Sequence, residues 1–594
     1  GGSAAEATTM ALTVGGGGAG MLGIGADATV DASGDVRVGA SLGGGGTLTV
    51  ASGAELSVGG NLTVGDGGQG SLDVNGGSLD MAGAGDLVIG NVASANADVT
   101  IAHSTIDFGN IVKVGNAGTA TLSVSTGGSI DAVTIAIGSG FNGNGAFVLD
   151  GTGAAASSNM LTVGGDGVAS LEVTDKAVLS TSGNASIATA STPVQQAVSV
   201  GSKGIWSVAG VLDIGKSGAA QVVVDSGANV AAPTMIIGDA AGAEASLAVS
   251  GASGSTTSEV GFGTLLVVGK SGSGTLTIAQ GASADAGAAH TGTVEIALSA
   301  SASGGITLSD SGSVLTTALL TVGGGKTAAG GTGTLAIGAG AVVAADTVTV
   351  WGSGVVALSG GTLDPDPVSN AGSIGGFGTV EGAVANTGTI TAHDGTLLLT
   401  GAVDGAGRLG VQAGATLELQ QAVAATQTIA FAGGALVLDD LAAAQGTLED
   451  FATGDRIVLK DVVADGGSFA GGVLTLTEGG STVGTLALAG SYGADGFRVQ
   501  NSVGTTEVTV PCFAAGTRIA TATGEVPVER LRAGDVVRLA DGGRAVVRWV
   551  GHRRVACRRH PRPQDVMPVR VRAHAFGFGH PTADVRLSPD HAVF

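Results

Sequence analysis

Alternating apolar and polar positions run through the chain in short segments, each closed by a glycine or an equally small residue. Leu12-Thr13-Val14-Gly15, Val38-Gly39, Leu62-Thr63-Val64-Gly65, Leu87-Val88-Ile89-Gly90, Val114-Gly115, Ile137-Gly138 and Leu161-Thr162-Val163-Gly164 open the series, with the glycines 24, 26, 25, 25, 23 and 26 residues apart. The beat continues at Ile187-Ala188, Ile214-Gly215, Ile237-Gly238, Val268-Gly269, Ile296-Ala297, Val322-Gly323 and Trp351-Gly352, where the spacing widens to as much as 31 and 29. A glycine-rich turn and a second alternating strand usually follow, as in Ser71-Leu72-Asp73-Val74 and Thr121-Leu122-Ser123-Val124. A third strand often comes next, as in Gly53-Ala54-Glu55-Leu56-Ser57-Val58. Period-two alternation puts every other side chain on one face, and glycine supplies the positive φ that tight corners need.

Two or three such short strands cannot bury a face alone, but stacked on their neighbours they build a continuous Val/Leu/Ile interior. The pattern therefore predicts an all-β chain whose residues 1–352 form a long parallel β-solenoid of about 25-residue coils. Fourteen beats at ~4.8 Å per coil give a rod of roughly 65–70 Å. After Trp351 the period loosens, although Gly395–Gly401 and Gly414–Leu419 still read as strands with glycine corners. Residues 353–511 are expected to form a β-rich cap and linker, because a terminal coil exposes unpaired strand edges. Phe469, Tyr492 and Phe497 would supply the bulk that the repeats lack.

Composition narrows the picture. Glycine accounts for 110 of 594 residues and aromatics for 3%, which argues against an ordinary globular core, while 44% hydrophobic residues is too many for disorder. No run of about 18 apolar residues marks a transmembrane helix. The chain starts at Gly1 and not at Met, which fits a signal peptide removed or never included. Gly65-Asp66-Gly67-Gly68-Gln69-Gly70 approaches a Ca²⁺-binding nonapeptide but does not complete one, so neither metal nor cofactor is expected. The many Gly-x-Gly strings lack a following helix and a Gly-Lys-Ser/Thr, and so read as turns and not as phosphate loops.

Charge divides the chain at Cys512. From there to Phe594 stand 14 Arg, no Lys and 7 Asp+Glu; upstream stand 11 basic and 41 acidic residues, a net −30. Such an acidic body disfavours nucleic acid. Five of eight histidines and both cysteines lie in the tail. Cys512-Phe513-Ala514-Ala515-Gly516-Thr517-Arg518-Ile519, Val528-Glu529-Arg530-Leu531-Arg532-Ala533-Gly534-Asp535-Val536-Val537, Arg548-Trp549-Val550-Gly551 and Leu587-Ser588-Pro589-Asp590-His591 follow in order. With these four blocks, residues 512–594 resemble a bacterial Hint (Hedgehog/intein) domain, and the stop at Phe594 suggests a partial, C-terminally truncated copy. The upstream repeats resemble autotransporter passenger regions in composition and period.

The resemblance implies self-cleavage. The Cys512 thiol would attack the carbonyl of Pro511, turning the Pro511–Cys512 amide into a thioester. Ser588 and His591 match the family's Thr-x-x-His block, which polarises that carbonyl and protonates the departing nitrogen. Ser588 stands where inteins usually carry threonine, and the fixed φ of Pro511 restrains the carbonyl under attack. Cys557 has no counterpart in the motif and reads as a non-catalytic thiol. Paired with Cys512 it would close a loop of about 45 residues, contributing ~4 kcal/mol and removing the nucleophile. His552, His560, His574 and His580 lack metal-site spacing. Arg553-Arg554 and Arg558-Arg559 read as a solvated β-turn face in preference to a nucleic-acid patch.

The expected protein is thus an exported or surface (bacterial) adhesin-like solenoid whose complete Hint domain would perform single-turnover autoproteolysis. Its partners would be a cell-surface, matrix or host ligand and an acyl acceptor such as water or another chain. The alternative is a purely structural or adhesive surface protein with an inactive Hint remnant. A polysaccharide-acting β-helix enzyme fits less well, because the upstream charges are sparse and dispersed.

Overall fold

A computed structural model describes the chain apart from residues 1–4, 82–84, 192–194, 288–289, 495, 503, 511–512, 540–541, 549, 552–566, 580 and 588–594. The fold is all-β, with 57% of residues in strands and 1% in helix, and has about 19 parallel turns. They divide into two compact units, residues 1–374 with 378–388, and residues 375–377 with 389–594. No helix among the described residues is long and apolar enough to cross a membrane.

In the first unit each coil uses up to three strands, such as Leu62–Val64, Gln69–Asn75 and Ser78–Asp80. Apart from one inserted hairpin, the strands pair in parallel with their equivalents one coil away. In the first sheet Leu62 is in register with Leu87, Leu87 with Val112 and Ile135 with Leu161. In the second, Leu122 faces Phe147 and Phe147 faces Leu171. In the third, Leu179 faces Trp206 and Trp206 faces Val230. These inward columns are buried, Phe147 and Trp206 completely. Each large aliphatic side chain so buried stabilises the fold by roughly 1.5–3 kcal/mol, and the same column continues into the next coil.

The recurring glycine has a steric cause. Gly115 sits at φ +66°, and a Cβ there would meet the Gly145 nitrogen at 2.5 Å; a Cβ on Gly145 would meet the Val114 carbonyl oxygen at 2.2 Å. In most coils the corner therefore closes where the first strand ends in a very small residue and the second begins with one; Gln196, buried against Gly164, is an exception. Where the beat carries alanine, at Ala188 and Ala297, the backbone keeps φ +56° and +60°. The last beat falls one residue earlier than Trp351-Gly352. Val350 holds the register of Val322, so Trp351 itself takes the corner, and its indole nitrogen donates to the Gly325 carbonyl at 3.0 Å.

Outside the core, stacked corners form polar ladders. Asn91 donates to Asp66 at 2.7 Å and Asn116 donates to Asn91 at 3.1 Å. Farther along, Lys216, Asp239 and Lys270 follow the corner residues Gly215, Gly238 and Gly269 of successive coils. Lys270 pairs with Asp239 at 2.6 Å. Behind them Asp213 is buried on the outer side of the first sheet, and one of its oxygens has no hydrogen-bond partner. Burial, then the Asp239 carboxylate, raises Asp213 to about 7 against the pull of Lys216 and Lys270.

The parallel ladders do not stop at residue 352. Val350 pairs with Asn370 and Asn370 with Asn386, and the two buried amides are joined by a 2.8 Å hydrogen bond. In the second unit Thr389 pairs with Arg408, Thr428 with Thr447 and Leu417 with Leu436, separations of 19, 19 and 19 residues. The coils have shortened and lost their glycine beat, which is why the 25-residue period fades.

The last parallel strand, Arg456–Lys460, pairs on its other side with Thr505–Thr509 in the antiparallel sense, and Thr505–Thr509 pairs in turn with Arg498–Ser502. Beside them stands the antiparallel sheet Gly466–Ala470, Val473–Glu478 and Ser481–Ala487. The anticipated aromatic bulk is here. Phe497 lies 4.9 Å from Tyr492, 5.9 Å from Phe469 and 6.2 Å from Phe451, ring to ring, and Tyr492 donates its hydroxyl to the Phe451 carbonyl at 2.8 Å.

Candidate functional site

Pro511, Cys512, Cys557, Ser588 and His591 lie outside the described residues, as do His552, His560, His580 and the Arg553-Arg554 and Arg558-Arg559 pairs. What the structure gives is the frame on both sides of the motif blocks. Arg518–Thr521 pairs with Gly524–Pro527 in a hairpin, and Val536–Arg538 and Arg544–Val546 extend the same antiparallel sheet. The hairpin forms because Gly524, at φ +123°, lets the chain reverse after a short apolar-polar alternation. Arg518 binds Glu525 across it at 3.1 Å.

Thr517 is the junction of this frame. Its amide donates to the Ala514 carbonyl at 3.1 Å, and its carbonyl accepts from the Val528 amide at 2.8 Å. Its hydroxyl donates to the Arg586 carbonyl at 3.3 Å. Gly516, one residue earlier, donates its amide to Glu529 at 2.8 Å. The segment that follows Cys512 is thereby tied to the second motif block through Glu529 and to the strand Val585–Leu587, which leads into Ser588.

Val585–Leu587 is itself anchored. It pairs antiparallel with Val569–Val571, and Leu587 is buried. Next to it Asp584 accepts from the Ala573 amide at 2.9 Å and from Arg570 at 2.8 Å. The Ala573 amide, then the Arg570 guanidinium, hold the Asp584 carboxyl below its ordinary value. His574 is engaged in local structure, with Nδ1 accepting from the Gly579 amide at 2.7 Å and the ring stacked on Phe578 at 5.2 Å. No group of three or more His, Cys, Asp or Glu among the described residues could hold a metal ion.

Two residues of this frame carry no role in the sequence reading, Thr517 and Glu529. Both lie inside quoted motif blocks, but their partners are 69 and 13 residues away and leave no local pattern.

No curated protein matches the chain. Residues 511–594 match the Hint domain family. Together with the parallel coils upstream, that match makes the chain a β-solenoid protein carrying a Hint domain over residues 511–594.

Proposed function

We propose that the Hint domain cleaves its own chain at the Pro511–Cys512 bond and that the solenoid body is an exported, surface-located cargo. The observation that carries the reading is the hydrogen bond from Thr517 to Arg586, which links the flank of Cys512 to the flank of Ser588 and His591.

The Cys512 thiolate attacks the Pro511 carbonyl carbon, and a carbon–sulfur bond forms as the carbon–nitrogen bond breaks. His591 delivers a proton to the departing nitrogen, which becomes the free α-amine of Cys512. Ser588 polarises the carbonyl oxygen. Water then attacks the thioester, leaving a carboxylate on Pro511 and restoring the Cys512 thiol. In this second step another nucleophile, such as dithiothreitol, can replace water as the acceptor.

The test is intact mass of the chain with and without dithiothreitol, beside a Cys512→Ala version. A thiol-accelerated fragment ending at Pro511, absent from the alanine variant, is expected. A chain that stays whole under every condition would leave a structural or adhesive solenoid with an inert Hint domain.

A further inference from the structure

The corner between the second and third strands of each coil is closed by a residue in the left-handed region. Glycine fills this place at Gly53, Gly76, Gly127, Gly153, Gly227 and Gly281. At Asp27 and His103 it is one of the residue types that tolerate the conformation. Two successive coils instead carry lysine, Lys176 at φ 69° and Lys203 at φ 65°. The residues before them, Asp175 and Ser202, are left-handed as well, at 52° and 48°. Ser226 and Gln280, before Gly227 and Gly281, are left-handed too, at 53° and 55°, so the outlier is the lysine that replaces glycine in two stacked corners, a departure of the kind that marks functional positions.

Of the seven lysines upstream of Cys512, three are in ion pairs among the described residues, and Lys176, Lys203, Lys216 and Lys326 are not. Lys113, Lys270 and Lys460 hold carboxylates at 2.9, 2.6 and 2.5 Å. Lys176 and Lys203 line an open groove of about 660 Å³ with Thr152, Ser202, Ser226 and Ser253. Asp175 lines it too, and Asp150 and Asp225 precede the lining residues Gly151 and Ser226, so the two lysines are the cations of a mixed-charge corner on a body whose net charge is −30. One wall is built by an insertion: Ala252–Ser253 pairs with Thr256–Thr257 in a hairpin that interrupts the repeat between Ser250 and Glu259. Two left-handed lysines, a ring of hydroxyls and an added wall coincide at one place.

We propose that this corner binds the carboxylate or sulfate group of an acidic saccharide. Consecutive coils put the two lysine backbones about 4.8 Å apart, within span of one oxyanion. The four hydroxyls around them match the hydroxyls of a sugar. Ammonium groups act as point charges that attract an oxyanion without fixing its geometry. No aromatic ring lines the groove for a base to stack on, and the acidic surroundings repel a long polyanion such as nucleic acid.

The experiment is calorimetric titration of the full chain at low salt with a galacturonic acid tetramer, a sulfated disaccharide and a neutral glucose tetramer. At least one anionic saccharide is expected to bind, and the neutral one is not. Joint replacement Lys176→Gly with Lys203→Gly relieves the backbone, so that protein should melt at the same or a higher temperature while losing roughly tenfold or more in affinity. Lys176→Arg with Lys203→Arg should keep most of the binding. A Cys512→Ala chain should titrate like the parent, so failure of self-cleavage leaves this inference standing. It is overturned if neither anionic saccharide binds, if all three bind alike, or if the double-glycine protein binds as tightly as the parent.

Discussion

The Thr517 hydroxyl donates to the Arg586 carbonyl at 3.3 Å, across 69 residues of sequence. It joins two strands that belong to separate antiparallel pairings, Arg518–Thr521 and Val585–Leu587. In the proposed mechanism Thr517 is a positioning residue, since its hydroxyl holds a peptide carbonyl. Thr517→Val keeps the shape and removes the donor. Thiol-induced cleavage should slow by between about tenfold and a hundredfold, as expected for a small misplacement of reacting groups, and Thr517→Ser should recover it. Equal rates for all three proteins would remove Thr517 from the mechanism.

Asp213 makes the body sensitive to pH. Its folded value of about 7 lies above the ordinary carboxyl value of 3.8. Between those two pH values the folded chain holds a proton that the unfolded chain releases, so stability falls as pH rises through the window. The contribution is complete below 3.8 and lost above 7, with a ceiling on the order of 4 kcal/mol. Asp213→Asn should flatten this part of the curve and stabilise the protein at pH ~8. Urea unfolding at several pH values reads it directly; an unchanged slope would show that Asp213 holds no proton in this window.

Asn370 and Asn386 replace the aliphatic residue of an inward column that contains Val322 and Val350. Asn386→Val removes the acceptor of the Asn370 amide, at a cost of about 1–3 kcal/mol for a buried donor left unpaired. Joint replacement of Asn370 and Asn386 by Val should recover part of that loss. Hydrogen exchange of the neighbouring coil amides distinguishes the cases.

The corner argument yields opposite signs at two equivalent places. Gly115→Ala would put a Cβ 2.5 Å from the Gly145 nitrogen and should destabilise by more than ~1 kcal/mol. Ala188→Gly relieves a left-handed alanine and should leave stability unchanged or raise it. Thermal unfolding of both variants checks the pair.

Much of this fold can be read from the residues. The spacing of Gly65, Gly90 and Gly115 states the coil length, and the alternation in Leu72 and Val74 or Leu122 and Val124 states which face is buried. Three things are not local enough to read. The coils beyond Asn370 shorten to about 19 residues without a glycine beat, so the coil pattern fades where the ladder does not. The meeting of Asp213 with Asp239, and of Lys176 with Lys203, depends on register between coils. The role of Thr517 depends on a strand far along the chain. The motif residues Cys512, Ser588 and His591 come from family resemblance, and their geometry lies outside the described residues.

The antiparallel strand Thr505–Thr509 makes five residue pairings with Arg456–Lys460, and Pro511 follows two residues later. A break after Pro511 would therefore leave this closing strand on the body. The new C-terminus would be a stub of two residues beyond a sealed seam. The released body would keep its stopper, with no freshly bared row of amides at that seam to recruit a neighbour into a fibre.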